Sequence, residues 1–341
     1  MPASHPAETD PRPLPLHDRD LLLRLMAGPA TGDALARQAG LTRAAVWKRI
    51  AALRSAGVDV RAQPGRGYVL AQPLDLLDAD AIRAGLPIAD RGKVAALDVA
   101  WSLGSTNTEL LRQPTPPTGA RVLLAERQTG GRGRRGRSWT SPLAAHIYLS
   151  LARSFTGGLA RLSGLSLVAG VATAEALHAL GFGGVQLKWP NDLVVADGAG
   201  LRKLGGLLVE GGGEHAGPVR AVIGLGLNVR MPSSAAADIT QPWIDLAALT
   251  TQLPPRNQLV VAVLSHWLPA LAEFDADGLA PFLQRYARLD ALAGRDVTLQ
   301  ASQASARDAR ALGIAEDGAL RLRIDGREER VHSGDVSVRV A

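Results

Sequence analysis

Apolar and polar positions repeat along this chain with a helical period in some windows and a strand period in others. Between Asp18 and Ala27 apolar side chains stand at 21, 22, 23, 25 and 26, and Gly28-Pro29 stops the run, which predicts a short helix. Thr31 caps a second helix over roughly Gly32–Ala39, and Gly40 supplies the turn after it. Thr42 caps a third helix, Arg43–Ala56, which Gly57 ends. Val46, Ile50 and Leu53 share one face of that helix, and Arg43, Trp47, Lys48, Arg49 and Arg54 lie largely elsewhere. Val58–Arg61 and Tyr68–Leu70, joined by Pro64-Gly65-Arg66-Gly67, read as a β-hairpin. Two short helices joined at a glycine, the second basic on its outer side and followed by a hairpin, form a helix-turn-helix with a wing.

Strands are expected over Val94–Trp101, Val122–Glu126, Ala145–Ala152, Val185–Leu187, Leu207–Glu210 and Val219–Arg230. The longest apolar stretch, Leu162–Gly181, contains Glu175 and His178, so it reads as a buried helix rather than a membrane span. Small residues on several faces of Leu162–Leu180 suit it to lie against a sheet, and Asn257–Glu273 and Leu279–Leu289 are amphipathic helices. After Gly294 come five short strands, Val297–Gln300, Ala309–Ala315, Ala319–Ile324, Glu328–His332 and Val336–Val340, with turns such as Asp317-Gly318 and Asp325-Gly326; this spacing predicts a small barrel. The fold class is α+β.

Composition narrows the chemistry. At 341 residues the chain has room for two or three domains. It has no cysteine, which excludes disulfides, thiolate metal sites, iron–sulfur clusters and a cysteine nucleophile. Met1–His17 lacks an apolar targeting core, residues 1–16 read as a disordered tail, and a cytoplasmic location with no membrane contact is expected. The net charge of +6 is unevenly placed. Residues 36–70 carry seven basic side chains and one acid, residues 127–137 carry five arginines and no acid, and the remainder is net −5. A solvated face of a helical bundle would also give the first patch. Turn, caps, basic helix and wing in the right order favour DNA instead, contacted by Thr42, Arg43, Trp47, Lys48, Arg49 and Arg66. One such module binds weakly, so operator binding calls for a dimer.

The second patch follows the Val122–Glu126 strand as Gln128-Thr129-Gly130-Gly131-Arg132-Gly133-Arg134-Arg135-Gly136-Arg137-Ser138-Trp139. Gly131, Gly133 and Gly136 match GxGxxG, but a strand rather than a helix follows and no GK[ST] is present, which rejects a dinucleotide fold and a Walker A loop. Backbone N–H groups and guanidinium forks of such a loop can close around an anion, and Trp139 can cover a flat ring. Three more polar clusters stand at or near strand ends: Ser105-Thr106-Asn107, Lys188-Trp189-Pro190-Asn191-Asp192 and Arg202-Lys203-Leu204-Gly205-Gly206.

Together with Gly224-Leu-Gly-Leu-Asn228, these motifs resemble the biotin protein ligase family, in its bifunctional bacterial form that is both ligase and biotin operon repressor. The resemblance runs over about the whole chain. It implies a winged helix-turn-helix over 17–75, a mixed-sheet biotin/lipoate ligase-like catalytic domain over 83–275 and an SH3-like barrel over 290–341. It implies an ATP-dependent enzyme that makes biotinyl-5′-AMP from biotin and Mg·ATP. The enzyme then passes biotin to a lysine of the biotin carboxyl carrier protein of acetyl-CoA carboxylase. Biotinyl-AMP is also the corepressor, promoting a homodimer that binds operator DNA. Metal enters only as Mg2+ carried by ATP.

By the same resemblance Ser105, Thr106, Asn107 and Gln128 hold the biotin head, and Arg132, Gly133 and Arg134 lie over its carboxylate and later the anhydride. Lys203 contacts biotin, and Lys188 sits by the reacting carboxylate and α-phosphate, with Arg134 beside the chemistry. Asp192 orients Lys188 or takes a proton from the acceptor lysine. Arg137, Trp139, Asn191, Asn228 and Arg339 fit the nucleotide side. The chain departs from the family's pattern at Gly104, where Asp is frequent, and in opening the loop with Gly-Gly-Arg-Gly. A biotin sensor without catalysis and a lipoate ligase are the alternative readings; the retained Arg134, Lys188 and Lys203 oppose the first, and the full arginine loop opposes the second.

Overall fold

A computed structural model describes residues 16–340 except 157, 159–161, 163, 199, 214–218, 238, 302–305 and 333–335. The expected tail therefore lies almost wholly outside the described residues. The first unit comprises α1 (Leu16–Met26), α2 (Gly32–Ala39), α3 (Arg43–Ser55) and the hairpin β1 (Val60–Gln63) and β2 (Gly67–Leu70). Both caps form as the sequence dictates: Thr31 and Thr42 accept from the N–H groups of Ala34 and Ala45 at 3.2 and 3.1 Å. Gly40 closes α2 at φ 64°, where a side chain is disfavoured. The hairpin starts later than the pattern suggests. Val58 is buried and its N–H bonds Leu53 O, so it ends the helix rather than starting the strand. Leu22, Leu35, Val46, Ile50 and Leu53 fill the core of this unit.

After α4 (Ala79–Gly85) and α5 (Ile88–Arg91) the chain enters a seven-stranded sheet. Its strands are β3 (Val94–Ala100), β4 (Ala120–Ala125), β5 (Ile147–Phe155), β6 (Val185–Lys188), β7 (Asp192–Asp197), β8 (Gly200–Gly213) and β9 (Val219–Leu227). The order is β3-β4-β5-β9-β8-β7-β6, and only β3 and β4 run parallel. The short α6 (Thr106–Arg112) stands between β3 and β4. Helix α7 (Leu165–Ala179) is buried on nearly every face, which its small residues allow. Beyond the short α8 (Ser233–Ala236), α9 (Arg256–Asp277) packs on α7, and Trp267 Nε1 donates to Thr173 Oγ1 at 2.8 Å. Helix α9 is long and apolar enough to cross a membrane, but half of its apolar window is buried in this core.

Helix α10 (Ala280–Leu289) leads to the last unit, a five-stranded antiparallel sheet of β10 (Asp296–Ala301), β11 (Arg307–Ile314), β12 (Leu320–Ile324), β13 (Arg327–Val331) and β14 (Val336–Val340). Its order is β13-β12-β11-β10-β14. Trp189 pins this sheet to the central one: its ring is buried and Nε1 donates to Gly318 O at 3.0 Å.

The first unit is also locked in place. Leu143 and Ala144, which follow the arginine loop, are buried in the helix-turn-helix core, and Leu143 N–H donates to Ala56 O at 2.8 Å. Beside them Arg256 Nη1 meets Glu126 Oε2 at 2.7 Å, both side chains 3% exposed. His146, fully buried, stays neutral: burial first, and the Arg256 charge second, push its pKa down to about 3.

Candidate active site

The end of β6, the start of β7, the first half of β8, the end of β9, the start of α6 and the arginine loop surround a cavity of about 810 Å3, within the range of small-molecule sites. Ser105, Thr106, Asn107, Gln128, Arg132, Gly133, Arg134, Arg137, Trp139, Lys188, Asn191, Asp192, Lys203 and Asn228 all line it. Residues more than a hundred positions apart thus share one wall. Arg339 sits in β14 opposite Thr298, but its side chain lies outside the described residues; its neighbour Val338 reaches the cavity.

One end of the cavity is a polar network. Ser105 is the N-cap of α6, which the sequence shows as a strand-end cluster rather than a helix start. Thr106 donates to Gln128 Oε1 through N–H and Oγ1 at 2.9 and 3.1 Å. Ser150, buried in β5, stands 2.7 Å from Thr106 Oγ1 and 2.6 Å from Asn107 Oδ1. Asn107 Nδ2 donates to Glu210 Oε2 at 2.9 Å and Leu208 O at 3.1 Å. Glu210 Oε1 in turn stands 3.3 Å from Arg132 Nη2. Neither Ser150 nor Glu210 belongs to a motif that the sequence marks as a site; for Ser150 the local signal is a lone serine inside the apolar run Ile147–Leu151.

The other end is cationic. The arginine loop folds on itself, with Gly133 N–H on Arg137 O at 2.7 Å and Trp139 N–H on Gly131 O at 2.8 Å. Arg135 and Gly136 take φ 58° and 70° at its tip. Among the described residues, six cations line the cavity (Arg132, Arg134, Arg135, Arg137, Lys188 and Lys203) against one carboxylate, Asp192. Burial lowers the Arg134 pKa, Asp192 opposes that shift, and Arg135 and Arg137 add to it. A half-buried guanidinium among like charges is a strong anion site.

Asp192 pairs with Lys203 Nζ at 2.7 Å and stands opposite Lys188 across the β6–β7 hairpin. A bulge that skips Leu204 in the β7–β8 ladder separates the partners of Leu193 and Val194. Trp139 lies within 5.4 Å of Lys203 Nζ and packs against Gly226, where a Cβ would strike the indole. Asn228 is held from behind, donating to Ile244 O at 3.0 Å.

On the first unit, Trp47 is 61% exposed on α3, and Lys48 and Arg66 are exposed. Arg43 is exposed and stands 3.1 Å from Asp33. Arg49, expected on the DNA face, is partly buried, and its Nη1 bonds the buried Asp18 Oδ1 at 3.0 Å, which ties α3 to α1 and gives that carboxylate a cationic partner.

The sequence matches three family models: the Biotin/lipoate A/B protein ligase family over residues 100–228, an HTH domain over 18–69, and the Biotin protein ligase C terminal domain over 293–339. The bifunctional ligase/repressor BirA of Salmonella typhimurium is 40% identical over 311 residues, which cover 91% of this chain and 93% of that protein. The chain belongs to the bifunctional biotin ligase/repressor family. A biotin–[acetyl-CoA-carboxylase] ligase of Mycobacterium tuberculosis is 34% identical over 257 residues, covering 70% of this chain and 88% of that one. Among solved structures, a biotin protein ligase from Aquifex aeolicus in complex with biotin and ATP shares the fold, with TM-score 0.60 and 24% identity over 72% of this chain and 100% of that one. The biotin-ligase C-terminal match speaks against the lipoate alternative.

Proposed function

We propose that the protein is a biotin–[biotin carboxyl-carrier protein] ligase that also represses the biotin operon. The observation that carries the enzymatic reading is the meeting of the Thr106–Gln128–Asn107 network with six cations in one cavity. The network is suited to the uncharged biotin head, and the cations to a carboxylate and a triphosphate that repel each other in water. A biotin carboxylate oxygen attacks the α-phosphorus of ATP, the P–O bond to pyrophosphate breaks, and biotinyl-5′-AMP forms. Lys188 and Arg134 offset the negative charge that builds on the α-phosphoryl oxygens. The acceptor lysine amine then attacks the acyl carbon, AMP leaves, and the amine loses a proton for which Asp192 is the carboxylate at hand. Asp192 is already held by Lys203. Mg2+ would arrive with ATP and would offset part of the phosphate charge alongside Lys188 and Arg134.

Purified protein with labelled biotin, ATP, Mg2+ and a carrier domain is expected to label the carrier. Label no higher than in a control without ATP would overturn the reading. Repression rests on the α3 face carrying Trp47 and Lys48 with Arg66 on the wing, doubled in an adenylate-promoted dimer. A mobility-shift assay with operator DNA should show tighter binding with biotinyl-AMP than without.

Gly224 tests the head site. A Cβ there would collide with Asn107 Oδ1 and displace it from Ser150 and Glu210. Gly224→Ala is expected to raise the KM for biotin by about 10²-fold in biotin-dependent ATP–pyrophosphate exchange. An unchanged KM would remove the network from biotin recognition.

A further inference from the structure

Glu210 takes no part in the reaction above, yet it stands where the two ends of the site meet. On β8 it shares a face with Gly206 and Leu208, and both of these line the cavity. Glu210 itself lies one step past the cavity's edge, behind the wall rather than in it. Its carboxylate is divided between two elements. Oε2 accepts from Asn107 Nδ2 on α6 at 2.9 Å, and Oε1 stands 3.3 Å from Arg132 Nη2 on the arginine loop.

Each partner is a residue of the cavity wall. Asn107 is buried, and both of its amide hydrogens are used, the second on Leu208 O at 3.1 Å. With its N–H groups held from behind, Asn107 presents Oδ1 beside Gly224 at the wall. Removing Glu210 Oε2 would leave a buried N–H without its acceptor and loosen that amide. Arg132 Nη2 also donates to Thr108 Oγ1 at 2.9 Å, so the loop is fastened to α6 as well as to β8. Arg132 stands at the stem of the loop, bridged to Ser138, with Gly133 N–H on Arg137 O beside it. Beyond the stem come Arg134, Arg135 and Arg137, whose like charges oppose one another. An exposed ion pair alone would hold such a loop weakly. Here the same carboxylate is fixed by the buried Asn107 amide, so the pair is oriented before the loop meets it.

We propose that Glu210 is a positioning residue of the ligase: one carboxylate oxygen fixes the Asn107 amide at the biotin-head site, and the other anchors the stem of the arginine loop at Arg132. The proposal rests on the ligase reading and adds to it a residue that touches no substrate. Head site and loop are joined before biotin arrives, so less freedom is lost when biotin binds across both.

Glu210→Gln keeps the shape of the side chain, so the fold is retained, but one terminal atom becomes an NH2 group that cannot accept. Either Asn107 or Arg132 then faces a donor in place of an acceptor. The KM for biotin in biotin-dependent ATP–pyrophosphate exchange is expected to rise about tenfold, the usual worth of a hydrogen bond to a charged group. Tryptic cleavage of the full chain within residues 132–137, mapped by fragment mass, should speed up about threefold or more as the loop opens more often. Arg132→Met breaks the same contact from the loop side, and adding Glu210→Gln to it should leave loop cleavage as it is in Arg132→Met alone. An unchanged KM, or loop cleavage as slow as in the parent, would overturn the proposal; a lowered melting temperature with both unchanged marks a carboxylate that is merely structural. A full further increase of cleavage in the double variant overturns it too, because the loop would not be held through Arg132. If the unmutated protein fails to catalyse exchange, the ligase reading falls, and the cleavage comparison still decides whether Glu210 holds the loop.

Discussion

Replacing Arg256 with methionine is expected to destabilise the protein by about 3–5 kcal/mol, the usual cost of removing one partner of a buried ion pair. The guanidinium is spent entirely inside the protein. It contacts Glu126 Oε2 and Asp75 O at 2.7 Å each, and donates to His146 O from Nη2 at 2.6 Å and Nε at 3.1 Å. Methionine would leave Glu126 charged and buried, with the Leu77 N–H at 2.5 Å as its remaining bond. Four segments meet at this point: the connection after the wing, the end of β4, the entry to β5 and the start of α9. Urea unfolding reads the loss directly, and a cost below about 1 kcal/mol would contradict the argument. A double variant, Arg256→Met with Glu126→Gln, should recover part of the loss because no charge is then stranded. Acid acts on the same junction. His146 is held neutral down to about 3, whereas the unfolded chain takes up that proton near 6.5. The stability this histidine permits is therefore full above about pH 6.5 and is lost as pH falls toward 3.

Lys188→Met is expected to lower the rate of adenylation by about 10²–10³-fold, the loss seen when one preorganised group facing developing negative charge is deleted. Lys188 ends β6 at the cavity wall, and the hairpin register sets it opposite Asp192. The KM for biotin should change little, since the Thr106–Asn107–Gln128 network is built from other elements. Methionine keeps the apolar stem and removes only the charge, so folding should be preserved. Single-turnover formation of biotinyl-AMP gives the rate. A variant as fast as the parent would show that Arg134 and the other cations carry the charge alone, and would remove Lys188 from the chemistry.

The helix-turn-helix was legible almost to the residue because its signals are local. Thr31, Gly40 and Thr42 each act within one helical turn of themselves. The cap at Ser105 is equally local, but α6 has too few turns to show an apolar period, so the sequence does not mark it as a helix start. Strand β8 runs from Gly200 to Gly213, far past the expected Leu207–Glu210, because pairing with both β7 and β9 carries its glycines. The side of α3 on which Arg49 lies was visible, but the buried Asp18 that captures it was not.

Taken alone, the sequence determined where the chain turns and caps, which segments alternate, how its charge divides into two patches, and which motifs carry the family resemblance. Only the tertiary structure decided that Asp192 belongs to Lys203, that Glu210 joins Asn107 to Arg132, and that Leu143 completes the core of the DNA-binding unit. The reason is physical. Caps and turns depend on backbone geometry a few residues away, whereas these pairings depend on strand register and on which polar groups are buried together, and both are set by the packed sheet.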